Sequence, residues 1–365
     1  MKKALKVTGT TLLALFAALI LVVLGYVVYV AAEYDRIEDN LQLTVDRGET
    51  VASAQTGVEY GIVTYNIGFG AYSPDFSFFM DSGEMNDGTV VTGKYGKGLS
   101  EEVVRKDVEG AAATLKGLDA DFYFVQEVDT DGDRSYHIDQ LAILRGALSG
   151  DATFAQNFHC AKLLYPFNNP HGKNTSGIAT FSTIELKSAV RRQYPVDDGF
   201  AKFFDLDRCF AVHRVAVGGG KELVLINSHM SAYDEGGTIR AQQLEMLNAV
   251  MAEEYAKGHY VIVGGDFNHE LAHSFGNFAT EQKQPTWAYE LTDDDVADGF
   301  RVVASGEGVG TCRAAEIPYT EGVNYQTVLD GFIVSENIEV TNVRNVDTGY
   351  EFSDHNPVEM TFVLK

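Results

Sequence analysis

The sequence has few cysteines. Its 365 residues include three, Cys160, Cys209 and Cys312, which are too few and too widely spaced for a disulfide framework or a cysteine-based zinc site. In an oxidising compartment one pair could form a disulfide and leave one thiol, or all three could be buried free thiols. The sequence leaves both states open.

Basic residues are also scarce. Lysine and arginine total 28 against 52 aspartates and glutamates, which gives a formal net charge of −24. Because Lys2, Lys3 and Lys6 lie at the start of the chain, the remainder has 25 basic residues against the same 52 acidic ones. Long nucleic acids are bound through several lysine or arginine contacts to phosphates. The composition therefore disfavours them as partners.

Charge is absent altogether from residues 7–32. Within this range, Leu12 to Val30 is almost wholly apolar and matches the ~20 residues that span a bilayer. We predict a retained transmembrane anchor over 7–32, a cytoplasmic tail at 1–6 because of its lysines, and an extracytoplasmic remainder at the cell surface. The alternative is a cleaved signal sequence and a secreted protein, since Val30-Ala31-Ala32 resembles a cleavage site.

The residues after the anchor divide into two parts. Residues 33–54 are polar and acidic, which predicts a stalk. Residues 55–365 show globular patterning without a repeat, a low-complexity tract or a linker, and the chain is 45% hydrophobic, which is ample for a packed core. We therefore expect a single domain over residues 55–365.

Strand-like runs outnumber helices within this domain. Helical spacing between an N-cap at Ser100 and a stop at Gly117 predicts one helix, and others are expected near residues 138–148 and 240–257. Many strands with few helices indicate an α/β fold, in which two packed sheets have helices outside them.

Two incompatible motifs overlap in Val261–His273. The first half is a buried strand that ends in Gly-Asp-Phe-Asn and is typical of a metal-dependent phosphoesterase. The second half, His269 to His273, spells His-Glu-x-x-His, in which Glu270 would be the general base of a zinc metalloprotease. That site needs a helix, yet Gly276 follows closely, and Ala279 stands where a metzincin has its third histidine. The zinc metalloprotease is therefore a remote alternative.

A third motif, Asp129-Thr-Asp-Gly-Asp133, resembles the start of a calcium-binding loop. Its sixth position is Arg134 instead of glycine, and its twelfth is Gln140 instead of glutamate. We interpret it as an acidic turn.

Polar side chains recur where strand-like runs end. Alone, each could simply form a turn or a structural hydrogen bond. Together they indicate a site, because sites are commonly built on the loops at strand ends. The residues are Asn66, Glu127, His229, Asp266, Asn268, Asp330, Asp354 and His355.

Seven segments, six of which contain these residues, resemble the endonuclease/exonuclease/phosphatase superfamily, in particular its DNase and neutral sphingomyelinase branches. They follow the family's order over about residues 60–360. The segments are Thr64-Tyr-Asn-Ile67, Val125-Gln-Glu-Val128, Ser176-Gly-Ile-Ala-Thr-Phe-Ser182, Asn227-Ser-His-Met230 with Arg240-Ala-Gln-Gln243 downstream, Gly264-Gly-Asp-Phe-Asn268, Leu329-Asp-Gly-Phe332 and Ser353-Asp-His-Asn-Pro357. The resemblance implies a four-layer α/β/β/α sandwich.

The resemblance also implies a role for each residue. Asn66, Glu127 and Asp354 would surround a Mg²⁺ ion, or Mn²⁺, directly or through water. Asp266 and Asn268 would position and activate the attacking water. His355, oriented by Asp330, would contact the phosphate or move a proton, while His229 would hold the phosphate or protonate the leaving group.

The expected function is therefore metal-dependent hydrolysis of a phosphodiester, with a lipid headgroup or a small molecule favoured as substrate and no protein partner implied. The Trp-Cys-Asp-Arg signature of inositol polyphosphate 5-phosphatases is absent, because Asp330 lies in Val-Leu-Asp-Gly. The alternatives are an extracellular nuclease and a binding protein that has lost catalysis. A nuclease needs a local basic groove. Residues that could contribute to a substrate contact or to that groove are Lys162, His171, Asn174, Arg191, Arg192 and Arg313.

Overall fold

The computed structural model describes residues 2–197, 199–203, 205–232, 237–286 and 289–365. The helices of this part are α1 (Lys2–Glu33), α2 (Glu101–Leu118), α3 (Gln140–Ala147) and α4 (Thr238–Ala256). The strands are β1 (Leu41–Gln42), β2 (Glu59–Asn66), β3 (Ser82–Glu84), β4 (Val90–Thr92), β5 (Phe122–Gly132), β6 (Asp151–His159), β7 (Asn174–Ser182), β8 (Leu186–Gln193), β9 (Cys209–Ala216), β10 (Glu222–His229), β11 (Tyr260–Asp266), β12 (Phe300–Val303), β13 (Cys312–Arg313), β14 (Gln326–Thr327), β15 (Asp330–Ser335), β16 (Ile338–Asn345) and β17 (Val358–Leu364).

Two large mixed sheets form the body of the domain. One has the strand order β1-β8-β9-β10-β11-β15-β12, and the other has the order β16-β17-β2-β5-β7-β6. Each contains one parallel pair near its middle, β10 with β11 and β2 with β5, while the remaining pairs are antiparallel. This topology confirms the predicted α/β fold with two mixed sheets.

The side chains of successive strand residues point to opposite faces, and this alternation builds the layers. Ile62 of β2 and Ile262 of β11 belong to the core between the two sheets. Val63, the next residue of β2, packs with Leu115 of α2. On the other sheet, Val263 packs with residues of α4. The layers are therefore helices, sheet, sheet and helix.

The helix boundaries follow local signals in the sequence. The Ser100 side chain accepts a hydrogen bond from the Val103 backbone and caps α2, as predicted. Helix α2 extends beyond the predicted stop at Gly117 to Leu118, and it ends on Asp119, whose φ of +50° gives it the left-handed conformation of a helix C-cap.

The apolar part of the N-terminal helix α1 is Thr8–Glu33, and an 18-residue stretch within it has a mean hydropathy of 2.8 and no buried residue. It is long and apolar enough to span a membrane, and a signal sequence would have the same properties. Residues 33–54 do not stand apart from the domain as a stalk would. Strand β1 pairs with β8, and Asp46 and Ala54 form bridges to Ala152 and Val217. The proposed domain boundaries otherwise stay a prediction.

Candidate active site

The predicted residues converge because strand register places them side by side. His229 ends β10 and pairs with Asp266, which ends β11, and Asp266 in turn pairs with Asp330 at the start of β15. Asn66 ends β2 on the facing sheet. Its amide Nδ2 lies 3.1 Å from Oδ2 of Asp266, so the two sheets contribute to one centre.

A break in strand regularity directs Glu127 into this centre. The pairing of β5 with β7 shifts register between Val125 and Val128, and Glu127 has a φ of +56°. Such bulges turn a side chain out of the regular alternation, and backbone strain of this kind is often found at functional sites. The Glu127 Oε1 atom then lies 3.2 Å from the amide Nδ2 of Asn66.

The Asn66 side chain presents its nitrogen to these carboxylates. Its Oδ1 atom accepts a hydrogen bond from the Gly68 backbone at 3.0 Å, while Nδ2 donates to both Glu127 and Asp266. This hydrogen bond uses one of the two lone pairs of the Asn66 carbonyl oxygen, which leaves the other available to a metal ion. The arrangement makes Asn66 an organiser of the carboxylates, and contact with a metal through water stays a prediction.

His355 and Asp330 form the expected pair. Nδ1 of His355 lies 2.7 Å from Oδ2 of Asp330, and both side chains are buried. Burial opposes charging of the imidazole, but Asp330 and Asp266 outweigh it and raise the His355 pKa well above its usual value. The imidazolium points Nε2 toward Asp266, 3.7 Å from its Oδ2 atom.

Asp266 lies at the middle of the group. Burial raises the pKa of Asp266 to about 6. The nearby His355 opposes this rise, and the neighbouring carboxylate of Asp330 adds to it. Its Oδ1 atom accepts the backbone N–H of Asn268, which has a φ of +49°. The Asn268 side chain donates to the Met230 carbonyl, so its amide fixes the loop.

Arg208 is a contact that the sequence did not indicate. Its Nη1 atom donates to Nε2 of His229 at 2.7 Å, and its side chain is almost fully buried. Burial and Arg208 together lower the His229 pKa well below its usual value, so this histidine is neutral. Because Nε2 accepts from Arg208, the ring proton lies on Nδ1. Nε2 is therefore not set to protonate a leaving group, and the nearby cationic donor is Arg208.

Comparison with known proteins identifies the family of the chain. The family described as "Endonuclease/Exonuclease/phosphatase family" covers residues 63–355. The chain belongs to this family. The match confirms the resemblance found in the sequence, and members of the family are hydrolases that act on phosphoester bonds, typically with divalent metals. No curated protein matches the chain.

Solved structures of the endonuclease/exonuclease/phosphatase family share this fold. A family protein from Beutenbergia cavernae is 16% identical, with a TM-score of 0.54, and the match covers 84% of this chain and 72% of that one. TDP2 from Caenorhabditis elegans is also 16% identical, with a TM-score of 0.50 and coverage of 84% and 75%. At this identity the similarity concerns the fold alone.

The donors in the centre fit the divalent metal that is typical of the family. Asp354 lies beside the turn at Asn66. Burial raises the pKa of Asp354 and of Glu127. Repulsion from Asp266 adds to the rise for Asp354, and repulsion from Asp354 adds to the rise for Glu127. These two acids are half-buried, and such a cluster suits a hard cation with oxygen ligands. A second candidate group consists of Asp266, Asp330 and His355, whose ligand atoms lie within 4.8 Å of one another.

The zinc-protease motif lacks the helix that it requires. The backbone N–H groups of Glu270 and Leu271 bind the carbonyls of Tyr289 and Val328, instead of carbonyls one turn earlier. His273 has a φ of +52°, and its side chain is exposed and pairs with Glu290, whereas His269 is buried. The two histidines do not share a helix face, so this alternative is wrong on its own geometric terms.

The calcium-like motif and the basic candidates have structural roles. Asp129 is buried and receives two hydrogen bonds from Arg134, so the two residues form an internal ion pair.

The basic candidates have partners within the protein. Arg191 donates to backbone carbonyls, and Arg192 forms an ion pair with Asp39. Arg313 donates to the backbone carbonyls of Tyr72 and Ser73. Lys162 forms an ion pair with Asp133. The side chains of Asn174 and the buried His171 form hydrogen bonds with backbone atoms. Each of the four basic residues considered for a nucleic-acid groove therefore has a partner within the protein, and the Arg313 backbone also donates to the Asp354 carbonyl. The three cysteines are free.

Proposed function

We propose that this chain is a membrane-anchored, extracytoplasmic, Mg²⁺-dependent phosphodiesterase that cleaves lipid-headgroup or small-molecule phosphodiesters by in-line attack of water. The observation that carries the proposal is the surroundings of Asp266. One carboxylate oxygen lies 3.1 Å from Asn66, 3.6 Å from His229 and 3.7 Å from His355. This places a carboxylate between two imidazoles, at the point where both sheets end.

In this proposal Asp266 accepts the proton of the attacking water. A general base is most effective when its pKa lies near the working pH, and burial raises that of Asp266 to about 6. Asn268 holds the Asp266 carboxylate through its backbone N–H. His355, kept protonated by Asp330, offers a positive charge to the phosphate oxygens.

The metal would be held by Glu127 and Asp354, with Asn66 orienting the carboxylates and bound water. When present, the cation neutralises phosphate charge and stabilises the leaving oxygen. Arg208 and the neutral His229 complete the anion-binding side of the site. With His229 accepting from Arg208, we assign it to holding the guanidinium in place rather than to protonating the leaving group.

The substrate class follows from charge and from the apolar helix. The net charge of −24 repels polyanions, and the basic residues that might form a groove are engaged elsewhere. A helix long enough to span a membrane would hold the domain at a lipid surface. Both points favour a lipid or small phosphodiester over nucleic acid.

The test is a substrate panel with the full chain in mild detergent and Mg²⁺. The substrates are bis-p-nitrophenyl phosphate, sphingomyelin, inositol phosphates and plasmid DNA. We expect hydrolysis of the first two, and loss of it in an Asp266→Ala, His355→Ala double variant. Asp131→Asn, which alters an exposed carboxylate at the end of β5, is the matched control.

Three outcomes would overturn parts of the proposal. Plasmid nicking without cleavage of lipid or small phosphodiesters would establish a nuclease. Full activity in the double variant would place the chemistry elsewhere. Inactivity of a folded protein on every substrate would favour a binding protein.

A further inference from the structure

We propose that the loop of residues 163–168 enters the lipid interface beside α1, as a second membrane contact of the catalytic domain. The proposal rests on the anchor assigned above. Its starting point is a set of hydrogen bonds that fixes this loop against α1. The Tyr26 hydroxyl donates to the Lys162 carbonyl at 3.2 Å and accepts from the Leu164 backbone at 3.1 Å, and the Lys162 backbone donates to Tyr29.

These contacts set the depth of the loop in the membrane. Tyr26 and Tyr29 lie near the end of the apolar run that is remote from the basic N-terminus. Tyrosines at such positions are typical of the level where lipid headgroups meet hydrocarbon. Since the Leu164 backbone binds the Tyr26 hydroxyl and Lys162, which precedes the loop, binds both hydroxyls, residues 163–168 lie at this same level.

The side chains of the loop suit that environment. Phe167 is 84% exposed, Tyr165 59% and Leu164 45%. Contiguous exposed apolar side chains of this size mark an interaction surface, because their burial removes apolar area from water. The loop therefore presents an apolar surface on the side where the chain would enter the bilayer.

Lipid is the occupant because this surface is continuous with the membrane-spanning helix. Leu19, Val22 and Val23 of α1 line one side of a cavity of about 680 Å³, and Leu163, Leu164 and Phe167 line the other. The side chains of Leu19, Val22 and Val23 are all exposed and belong to the apolar segment of α1. A bilayer that covers α1 would therefore also fill this cavity and cover the loop.

A chain of side-chain contacts connects this cavity to the catalytic centre. Its far wall includes Asp205, whose Oδ1 atom lies 3.2 Å from Nη2 of Arg208. Arg208 contacts His229 directly. A lipid whose chains occupy the cavity would have its headgroup on the side of Arg208, so the loop contact would present a lipid phosphodiester to the site.

The test measures the depth of the loop without relying on activity. Full-length Phe167→Cys, labelled with the environment-sensitive fluorophore NBD, is reconstituted into phosphatidylcholine vesicles that carry a nitroxide near the top of the acyl chain. Val51→Cys is the matched control, because Val51 is an apolar residue that is 63% exposed and bridges to Ile184, beyond the opposite end of β7. The parent chain gives the background from the native cysteines.

We expect the Phe167 label to shift to the blue and to lose at least half its emission to the lipid nitroxide, while the Val51 label loses little. Equal quenching at both positions, or none at residue 167, would overturn the proposal. A blue shift without lipid quenching would instead indicate contact with a second copy of the chain, and would also overturn it.

A second measurement connects the loop to substrate. Phe167→Ser is expected to lower the rate on vesicle-borne phosphodiester about tenfold, with the rate on bis-p-nitrophenyl phosphate unchanged. Equal loss on both substrates would contradict a membrane role. If the unmodified protein hydrolyses neither, the proposed function fails, while the quenching result still decides the membrane contact.

Discussion

Nδ1 of His355 lies 2.7 Å from Oδ2 of Asp330, and the same imidazole directs Nε2 to Asp266 at 3.7 Å. The ring is thus held between two carboxylates from neighbouring strands. This position explains why its pKa is raised in spite of complete burial, which by itself would lower it.

Asp330→Asn should reduce kcat by about 10²–10⁴-fold, because the loss of this carboxylate leaves His355 less protonated and less well oriented. A histidine whose pKa is raised stays charged to higher pH, so its loss of charge limits activity on the alkaline side. The substitution lowers that pKa, and the alkaline limb of the kcat profile should move to lower pH. The pH dependence of bis-p-nitrophenyl phosphate hydrolysis measures this shift. An unchanged alkaline limb would show that His355 does not act as the cation.

Mg²⁺ should raise the melting temperature of the full chain, because it binds the folded carboxylates and not the unfolded ones. At 100 times its Kd, one bound ion contributes about 2.7 kcal/mol. Glu127→Gln should abolish most of this increase while leaving the metal-free protein folded. Thermal unfolding of both proteins with Mg²⁺ and with EDTA measures the metal-dependent increase in melting temperature.

The control for the metal experiment is Asp131→Asn, which removes an exposed acid from the same strand. It should retain the full stabilisation. If Asp131→Asn and Glu127→Gln lose it equally, the metal binds the acidic surface and not the buried centre.

Arg208→Met should reduce kcat/KM by about 10²-fold, mainly through KM, since a buried guanidinium in a charged hydrogen bond supports anion binding. Arg208→Lys should recover only part of the loss, because one ammonium cannot bind Asp205 and His229 as the planar guanidinium does. Steady-state kinetics on bis-p-nitrophenyl phosphate separates the two parameters. Arg214→Met is the control, because Arg214 pairs with Glu254 away from the centre. An Arg208→Met enzyme with normal KM would remove this residue from substrate binding.

Much of the site could be predicted because the residues lie at strand ends. Parallel β10 and β11 bring His229 and Asp266 to one edge, and the antiparallel partner β15 begins there with Asp330. A buried run followed by a polar residue reveals such a position in the sequence. Helices α2 and α4 were predictable for a similar reason, since caps and apolar spacing are local signals.

The remaining features depend on tertiary contacts. Arg208 has no motif around it, and its role emerges only when β9 lies beside β10, which ends at His229. The His269–His273 segment has the pattern of a helix motif, but Glu270 and Leu271 donate to carbonyls distant in sequence. The segment of residues 33–54 reads as a polar stalk, although β1 extends a sheet through backbone hydrogen bonds, which composition does not reveal.

Asp107→Asn should stabilise the protein increasingly as pH rises. Asp107 lies fully buried on α2, and among the described residues no group reaches either carboxyl oxygen with good hydrogen-bond geometry, although the Ser73 backbone N–H approaches the carboxyl and slightly opposes the rise that burial causes in its pKa. Burial raises its pKa to about 8, with Lys106 opposing and Glu351 adding to the effect. In the unfolded chain this carboxyl loses its proton near pH 4, whereas in the folded protein it keeps the proton up to about pH 8. Between these two pH values folding must therefore take up a proton, and the free-energy cost of doing so grows with pH.

The carboxyl therefore lowers stability by up to about 1.4 kcal/mol for each pH unit in that window, and has no effect below it. The amide introduced by the substitution has nearly the same shape and does not titrate, so the variant and the unmodified chain should be closest in stability at pH 4 and furthest apart at pH 8. Urea unfolding in mild detergent, followed by circular dichroism at pH 4, 6 and 8, measures the difference. Glu109→Gln, which neutralises an exposed acid on α2, should show no such trend. Parallel curves for Asp107→Asn and the parent would mean that Asp107 is ionised in the folded protein at neutral pH.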